Sequence, residues 1–457
     1  MPSSQPRNLW FSRALLPEGW VERVRLRLAA GRICAVDAQV DPAGEDERHG
    51  PLVPGLPNLH SHAFQRAMAG RAEARGPGAD SFWTWREAMY RFVDRMDADD
   101  VEAIAALAFM EMLESGFTRV GEFHYLHHAP DGTAYADRGE LCARIAAAAA
   151  RAGIGLTLLP VFYAHAGFGG LPPGHGQRRF VNDVDGFAAI MAAARRAVAP
   201  LEDAVVGIAP HSLRAATGAQ IREILPLAQG GPVHIHVAEQ IKEVEDCLAF
   251  CGTRPVAHLF EIAPVDARWC LVHATHMSEA ETLRLAGSGA VAGLCPITEA
   301  NLGDGLFPAR DFLAHGGRFG VGTDSNVLVD AAEELRTLEY GQRLAYRARN
   351  VLAAAPGRST GRDLFAAALK GGAQALGGAG AGICAGAPAD FVTLDAAHPS
   401  LAARADDMLL DGWIFGARGG AVDGVWRAGR KYVTNGTHHN REEIRGAFAR
   451  TMEKILA

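Results

Sequence analysis

Two His-x-His pairs close short apolar runs in this 457-residue chain. The first is Asn58-Leu59-His60-Ser61-His62; the second is Val233-His234-Ile235-His236-Val237, with Ala238-Glu239 following. Side chains on a strand repeat every two residues, so His60 and His62 face the same way, and two imidazoles on one face can share a divalent metal ion. Two other runs end in the same kind of residue: Val272-His273-Ala274-Thr275-His276, and Gly320-Val321-Gly322-Thr323-Asp324-Ser325. Each has a plain structural alternative. His60 and His62 suit a surface pair, His234 a hydrogen-bonded core position, His276 a loop, and Asp324 a helix N-cap before Ser325. Four strand ends agreeing in character favour one shared site over four separate coincidences.

Positioning such a site requires a frame that gathers strand ends. Between residues 52 and 376 short apolar runs alternate with longer Ala-rich amphipathic stretches, as in repeated β-α units. Eight runs stand out, at 52–59, 117–123, 154–163, 204–209, 232–237, 269–274, 290–295 and 318–323. Helices are expected between them at 98–115, 142–152, 184–199 and 239–250. Eight parallel strands close most economically as a (β/α)8 TIM-type barrel, whose active sites lie at the C-terminal ends of the strands. A doubly wound open sheet is the alternative.

Both chain ends read differently. Val24, Leu26 and Leu28 alternate with Arg25 and Arg27, Gly31 turns the chain, and residues 33–36 return, as in a hairpin with one wet face. Residues 41–51 look like the link out of this sheet. Short strands recur at 390–394, 424–427 and 431–434, and residues 441–456 form a charged amphipathic helix. The expected domains are therefore 1–52 and 377–437 as two parts of a small β-sandwich, 53–376 as the barrel, and 438–457 as a C-terminal helix. The glycine-rich residues 377–386 match no phosphate-binding pattern and suit simple turns.

Composition excludes several function classes. With 45 Lys+Arg against 52 Asp+Glu the net charge is −7, which argues against nucleic-acid binding through a basic surface. No uncharged apolar run reaches the ~18 residues of a membrane span, and the first twenty residues have no apolar signal core. A cytoplasmic location is expected. The 7 cysteines are scattered without a C-x-x-C, so reduced, buried thiols are expected, and any metal must be held by histidine and carboxylate.

The set His60-x-His62, His236, Glu239, His273 and Asp324 resembles the amidohydrolase superfamily of metal-dependent barrels. The resemblance spans nearly the whole chain and includes GAPADFVTLD and VWRAGRKYVTNG, which look like that superfamily's flanking β-sandwich. No lysine stands near the end of the fourth run, where binuclear members carry a bridging one, so the pattern is similar to the mononuclear aminohydrolase branch. It implies that His60, His62, His236 and Asp324 hold one Zn2+, or Fe2+, which lowers the pKa of water from ~16 towards ~7. Asp324 then takes the water proton, His273 orients the nucleophile, and Glu239 delivers a proton to the leaving nitrogen. A non-catalytic barrel descended from such enzymes would be marked by lost ligands, and none is lost here.

Further segments, PNLHSHAFQRAMAG, DSFWTWRE, EFHYLHH, HSLRA, VHIHVAEQ, WCLVHATH and LCPITEANLGDG, are closely similar to the formimidoylglutamate deiminases within that superfamily. The implied substrate is the small molecule N-formimidoyl-L-glutamate, hydrolysed to N-formyl-L-glutamate and ammonia. Gln65, Arg86, Tyr125, His211 and Arg214 would bind its glutamyl part. A guanidinium such as Arg214 matches a carboxylate bidentately. A homodimer is expected, with Arg86 presented across its interface. The plain alternatives are a surface ion pair for Arg86, a core phenol for Tyr125 and a helix-face polar group for Gln65. The runner-up activity is an aminohydrolase for another carboxylate-bearing amidine, guanidine or ring amine. Asn326, Pro296 and Ile297 depart from the family pattern without touching the proposed ligands.

Overall fold

A computed structural model of the chain describes residues 7–78, 80–378 and 382–457. Eight short strands form two parallel sheets. In the first, Leu56–Ser61, Phe117–His124 and Gly155–Phe162 lie side by side, followed by a fourth strand split into Val205–Val206 and Ala209–Pro210. In the second, Val233–Val237, Trp269–His273, Val291–Leu294 and Arg318–Val321 follow in order. Isolated parallel bridges join the sheets at both seams: Ile208 with Val233 and Ser212 with His236 on one side, Ser61 with Asp324 on the other. The second seam carries two backbone hydrogen bonds, Asp324 N–H to His60 O at 3.0 Å and His62 N–H to Asp324 O at 2.8 Å. The eight strands thus run in one cycle, as the β-α alternation predicts.

The run expected at 52–59 is divided between two sheets. Leu52–Pro54 pairs with Ala14 and with Phe391–Leu394 in the terminal sheet, whereas Leu56–Ser61 opens the barrel. Gly55 is the hinge: a Cβ there would lie 2.2 Å from the Thr118 side chain. At the floor of the barrel the helix Thr360–Ala375 crosses strands 8 and 1 and delivers Leu376 inside. A Cβ at Gly121 would lie 2.5 Å from the Leu376 side chain, and one at Gly320 2.5 Å from Leu59, so glycine makes the interior room. His234 and Thr157 reach in to donate to the Ala375 and Leu376 carbonyls at 2.7 and 2.9 Å.

The chain ends meet in one nine-stranded sheet. Its core includes Phe11, Val24, Leu26, Phe391 and Trp426. Val24, Leu26 and Leu28 point inward and Arg27 outward, as the alternation requires. Two details differ from expectation. Arg7–Leu16 is a full strand, and within the supposed link Glu47–His49 pairs with it. Asn435 and Gly436, both at positive φ, form the turn between the strands Arg430–Thr434 and Thr437–His438. The centre of the glycine-rich stretch, 379–381, lies outside the described residues.

Helix boundaries follow local chemistry. Ala98–Ser115 matches expectation because Asp97 and Asp100 cap each other's backbone N–H and Gly116, at φ 105°, ends it. Arg441–Leu456 packs on that helix through buried Ile444 and Ile455, with Lys454 bonded to Asp97 and Asp100. A helix at Phe82–Val93 lies over the barrel mouth. Its C-terminal end is pinned by fully buried Arg179, which donates to the Val93 and Met96 carbonyls at 2.5 and 2.9 Å. Among the described residues no helix is long and apolar enough to cross a membrane. All seven cysteines are free; Cys142, Cys247, Cys270 and Cys295 are buried as expected, but Cys34 and Cys384 are exposed.

Candidate metal centre

His60, His62, His236 and Asp324 converge at the mouth of the barrel, with one donor atom from each lying within 4.8 Å of all the others. Asp324 Oδ1 is 3.5 Å from His60 Nε2 and 3.2 Å from His62 Nε2, and His236 Nε2 is 3.0 Å from His60 Nε2. Backbone carbonyls orient two of the rings. His62 Nδ1–H donates to Phe123 O at 2.9 Å and His236 Nδ1–H to His211 O at 3.1 Å. With Nδ1 protonated, each Nε2 presents its lone pair to the centre. Lone pairs facing each other this closely repel unless a cation lies between them, so the donor set suits a divalent metal held by three imidazoles and one carboxylate.

The electrostatics agree. Burial drives the His60 imidazole down to about 3 and pushes His62 and His236 down as well, keeping all three neutral as ligands must be. Burial alone would raise Asp324, but the imidazoles of His60, His62 and His273 hold it well below the usual carboxylate range. His273 and Asp324 both sit at positive φ, 67° and 46°, in the left-handed region that L-residues avoid. Strain of this kind is kept where surrounding structure fixes it, commonly at functional sites.

His273 and Glu239 stand beside this group. His273 Nε2 is 3.8 Å from both Glu239 Oε1 and Asp324 Oδ2. Glu239 is not the helix residue expected at 239–250; Gln240 is the N-cap and the helix is Ile241–Cys251. The Glu243 carboxylate bends the turn back by accepting from Ala238 and Glu239 N–H at 3.1 and 3.2 Å. Burial raises the Glu239 carboxyl to about 7, against the pull of His273 and Arg214. His234 and His276 take their plain alternatives: His234 bonds Ala375 O, and His276 bonds Asp304 O at 2.8 Å.

A cavity opens from this centre, and Gln65, Arg86, Tyr125, His211 and Arg214 all line it. Arg86 reaches it from the same chain, on the helix Phe82–Val93, so no second copy is needed to present it. Its guanidinium lies 4.6 Å from the Trp83 ring and forms no ion pair among the described residues, which rules out the surface-pair alternative. Arg214 is 3.8 Å from Glu239 Oε2 and 4.0 Å from Glu243 Oε2. The Nε atoms of both arginines are buried without a hydrogen-bond partner among the described residues. Gln65 donates to the Tyr125 oxygen at 2.7 Å, leaving its own Oε1 unpartnered. His211, kept neutral by burial and by nearby Arg214, bonds Ser212 Oγ at 3.1 Å. The pocket thus presents unused donors and an unused acceptor beside a convergent ligand set.

Several residues here escaped the reading of the sequence. Asn58 bonds Thr323 through both ends of its amide, and Asn326, contrary to the expectation that it stands clear of the proposed ligands, donates to Ser61 Oγ and to the His62 and Asp324 carbonyls, locking strand 1 to strand 8. Asn58 stands two residues before His60, on the same strand face, which was an available signal. Ile297 donates its backbone N–H to buried Glu334 at 3.0 Å. A second buried group, His124, His127 and Cys142, lies off the mouth, with His127 Nε2 bonded to Val161 O.

Comparisons with known proteins bear directly on this geometry. A sequence model described as the Amidohydrolase family matches residues 52–431, and one described as "Formimidoylglutamate deiminase HutF, N-terminal domain" matches residues 9–50. The formimidoylglutamate deiminase of Pseudomonas aeruginosa is 52% identical over 98% of this chain and 99% of its own. A 5-methylthioadenosine/S-adenosylhomocysteine deaminase of Natronomonas pharaonis is 29% identical over 81% of this chain and 78% of its own. Among solved structures, an amidohydrolase from Brucella melitensis superposes with a TM-score of 0.96 at 54% identity, covering 99% of this chain and 100% of that one. A zinc-bound adenosine deaminase from Xanthomonas campestris shares the fold, with a TM-score of 0.81 at 22% identity and 98% coverage of both chains. The chain belongs to the amidohydrolase family, whose members are metal-dependent hydrolases.

Proposed function

We propose that this protein hydrolyses N-formimidoyl-L-glutamate to N-formyl-L-glutamate and ammonia, with one Zn2+ held by His60, His62, His236 and Asp324. The supporting observation is the pairing of that ligand group with two guanidinium groups lining the same cavity, half-buried Arg86 and buried Arg214, whose buried Nε atoms lack hydrogen-bond partners among the described residues. A ring amine without carboxylates would leave Arg86 without an anion and Arg214 with only the more distant Glu239 and Glu243, whereas the two carboxylates of a glutamyl group engage both. The similarity to the Pseudomonas aeruginosa deiminase supports the same substrate. The cytoplasmic location and homodimer expected above belong to this reading.

When bound, the metal supplies Lewis acidity that makes water nucleophilic at neutral pH. The chain's own groups do the rest. Asp324 accepts the proton that water loses as its oxygen bonds to the formimidoyl carbon. Glu239, which burial raises to about 7 so that a large share carries its proton at neutral pH, donates to the terminal imine nitrogen, so that R–NH–CH=NH becomes R–NH–CH(OH)–NH2. A second proton, passed from Asp324 through Glu239, turns the amino group into a leaving ammonia. The C–N bond breaks, the hydroxyl proton passes to Asp324 and on to Glu239, restoring its starting protonation, and R–NH–CHO remains. His273 Nε2, 3.8 Å from both carboxylates, holds the attacking oxygen in line between them. Arg214 and Arg86 grip the substrate carboxylates, Gln65 Oε1 accepts a substrate N–H, and His211 and Tyr125 wall the reacting carbon. Proton NMR of a reaction with formimidoylglutamate tests this. A formyl signal appearing in step with ammonia supports the assignment; formimidoylglutamate untouched while another amidine turns over would replace it with the runner-up.

A further inference from the structure

We propose that Glu299 is a positioning residue: it fixes the tautomer and ring plane of His273, so that Nε2 and not Nδ1 faces the reacting carbon. The inference rests on the catalytic reading of His273 above. Glu299 lies in the helix Pro296–Leu302 that follows the seventh strand, 5% exposed, and its Oε1 is 3.2 Å from His273 Nδ1. The same oxygen accepts the Cys295 N–H at 2.9 Å. That second bond anchors the carboxylate to the first turn of its own helix, so the acceptor's place is set by backbone and not by a free rotamer.

An imidazole offers one donor and one acceptor when neutral, and the partner of one nitrogen decides the role of the other. Both nitrogens of His273 have carboxylates nearby. Nε2 stands 3.8 Å from Glu239 and from Asp324, beyond hydrogen-bond reach, whereas Nδ1 is within reach of Glu299. Glu299 therefore claims the Nδ1 proton and leaves Nε2 to the cavity. The ring plane is set by the same contact together with a stack on His236, centroids 5.5 Å apart and planes at 13°. With an apolar side chain at 299 the ring could carry its proton on Nε2 and turn away from the line between Glu239 and Asp324. An orienting partner behind a catalytic histidine commonly governs turnover more than binding.

Glu299→Leu and Glu299→Gln, each as the zinc-loaded full chain, test the proposal. Glutamine keeps an acceptor oxygen, and the Cys295 N–H holds that oxygen where the carboxylate was. We expect Glu299→Leu to lower kcat by about 100-fold, with KM within about threefold and metal content unchanged, and Glu299→Gln to recover most of the loss. Nitrogen-15 NMR of the histidine rings reads the tautomer without substrate, so it stands even if formimidoylglutamate is not the substrate: the His273 proton is on Nδ1 in the wild type and leaves it in Glu299→Leu. A His273 proton that stays on Nδ1 in Glu299→Leu overturns the proposal. So does equal loss of turnover and metal in both variants, which would mark Glu299 as merely structural.

Discussion

Glu239 combines a raised pKa with a place in the cavity wall 3.8 Å from His273 Nε2. A general acid must carry its proton to deliver it. Activity that depends on Glu239 should therefore be full below about 7 and fall as pH rises through that value. Glu239→Gln should retain the metal and lose about 10²- to 10⁴-fold in kcat, and its pH profile should lack the limb near neutrality; steady-state kinetics between acid and alkaline pH check both. Arg214→Ala should act on KM instead, raising it by about 10- to 100-fold for formimidoylglutamate, as loss of a charge-assisted hydrogen bond predicts. An unchanged KM would remove Arg214 from substrate recognition. Most ligand and pocket residues were legible in the sequence because their spacing on strand ends obeys a period of two, and because the motifs around them resemble a known family. Asn58, Glu243, Glu299 and Asn326 were not. Each works through a hydrogen bond to a residue whose position only the closed barrel defines, such as Asn58 with Thr323 across the seam.

At the scale of elements, the turn that carries the first two ligands into the pocket rests on Glu122. Its Oε1 accepts the Ala63 N–H at 2.8 Å while Oε2 is buried without a partner among the described residues, and burial raises the carboxyl to about 8. In the unfolded chain this group ionises near the ordinary glutamate value, about 4.3. Between those values the folded state holds a proton that the unfolded state has released. Its contribution is present in full below the unfolded value and is lost as pH rises through about 8. Glu122→Gln should remove that dependence, so its melting temperature relative to wild type should rise between pH 5 and 9; parallel curves would contradict the burial argument. Element boundaries were legible where local chemistry sets them, as at Asp97 and Gly116. The division of residues 52–59 at Gly55 was not, because Leu52–Pro54 reads as one apolar run with the barrel strand and is claimed by partners more than 300 residues away, such as Phe391.

At the scale of the molecule, the barrel is joined to the terminal elements by direct side-chain contacts. Asp203 takes Arg119 from the second barrel strand and Arg427 from the terminal sheet, and the C-terminal helix seals Ala98–Ser115. Ile444 is fully buried in that seal. Ile444→Ala should cost about 2–5 kcal/mol, read as a lowered denaturation midpoint with kcat unchanged, and a loss of turnover at full stability would contradict a purely structural role. The account as a whole stands on one divalent ion shared by four side chains from three separated stretches of sequence. Titrating zinc into demetallated protein, while following ammonia release from formimidoylglutamate, tests it most directly. The predicted result is activity that rises in proportion to added zinc, breaks at one ion per chain and is absent in Asp324→Ala. Turnover that survives demetallation, or a break at two ions per chain, would contradict it.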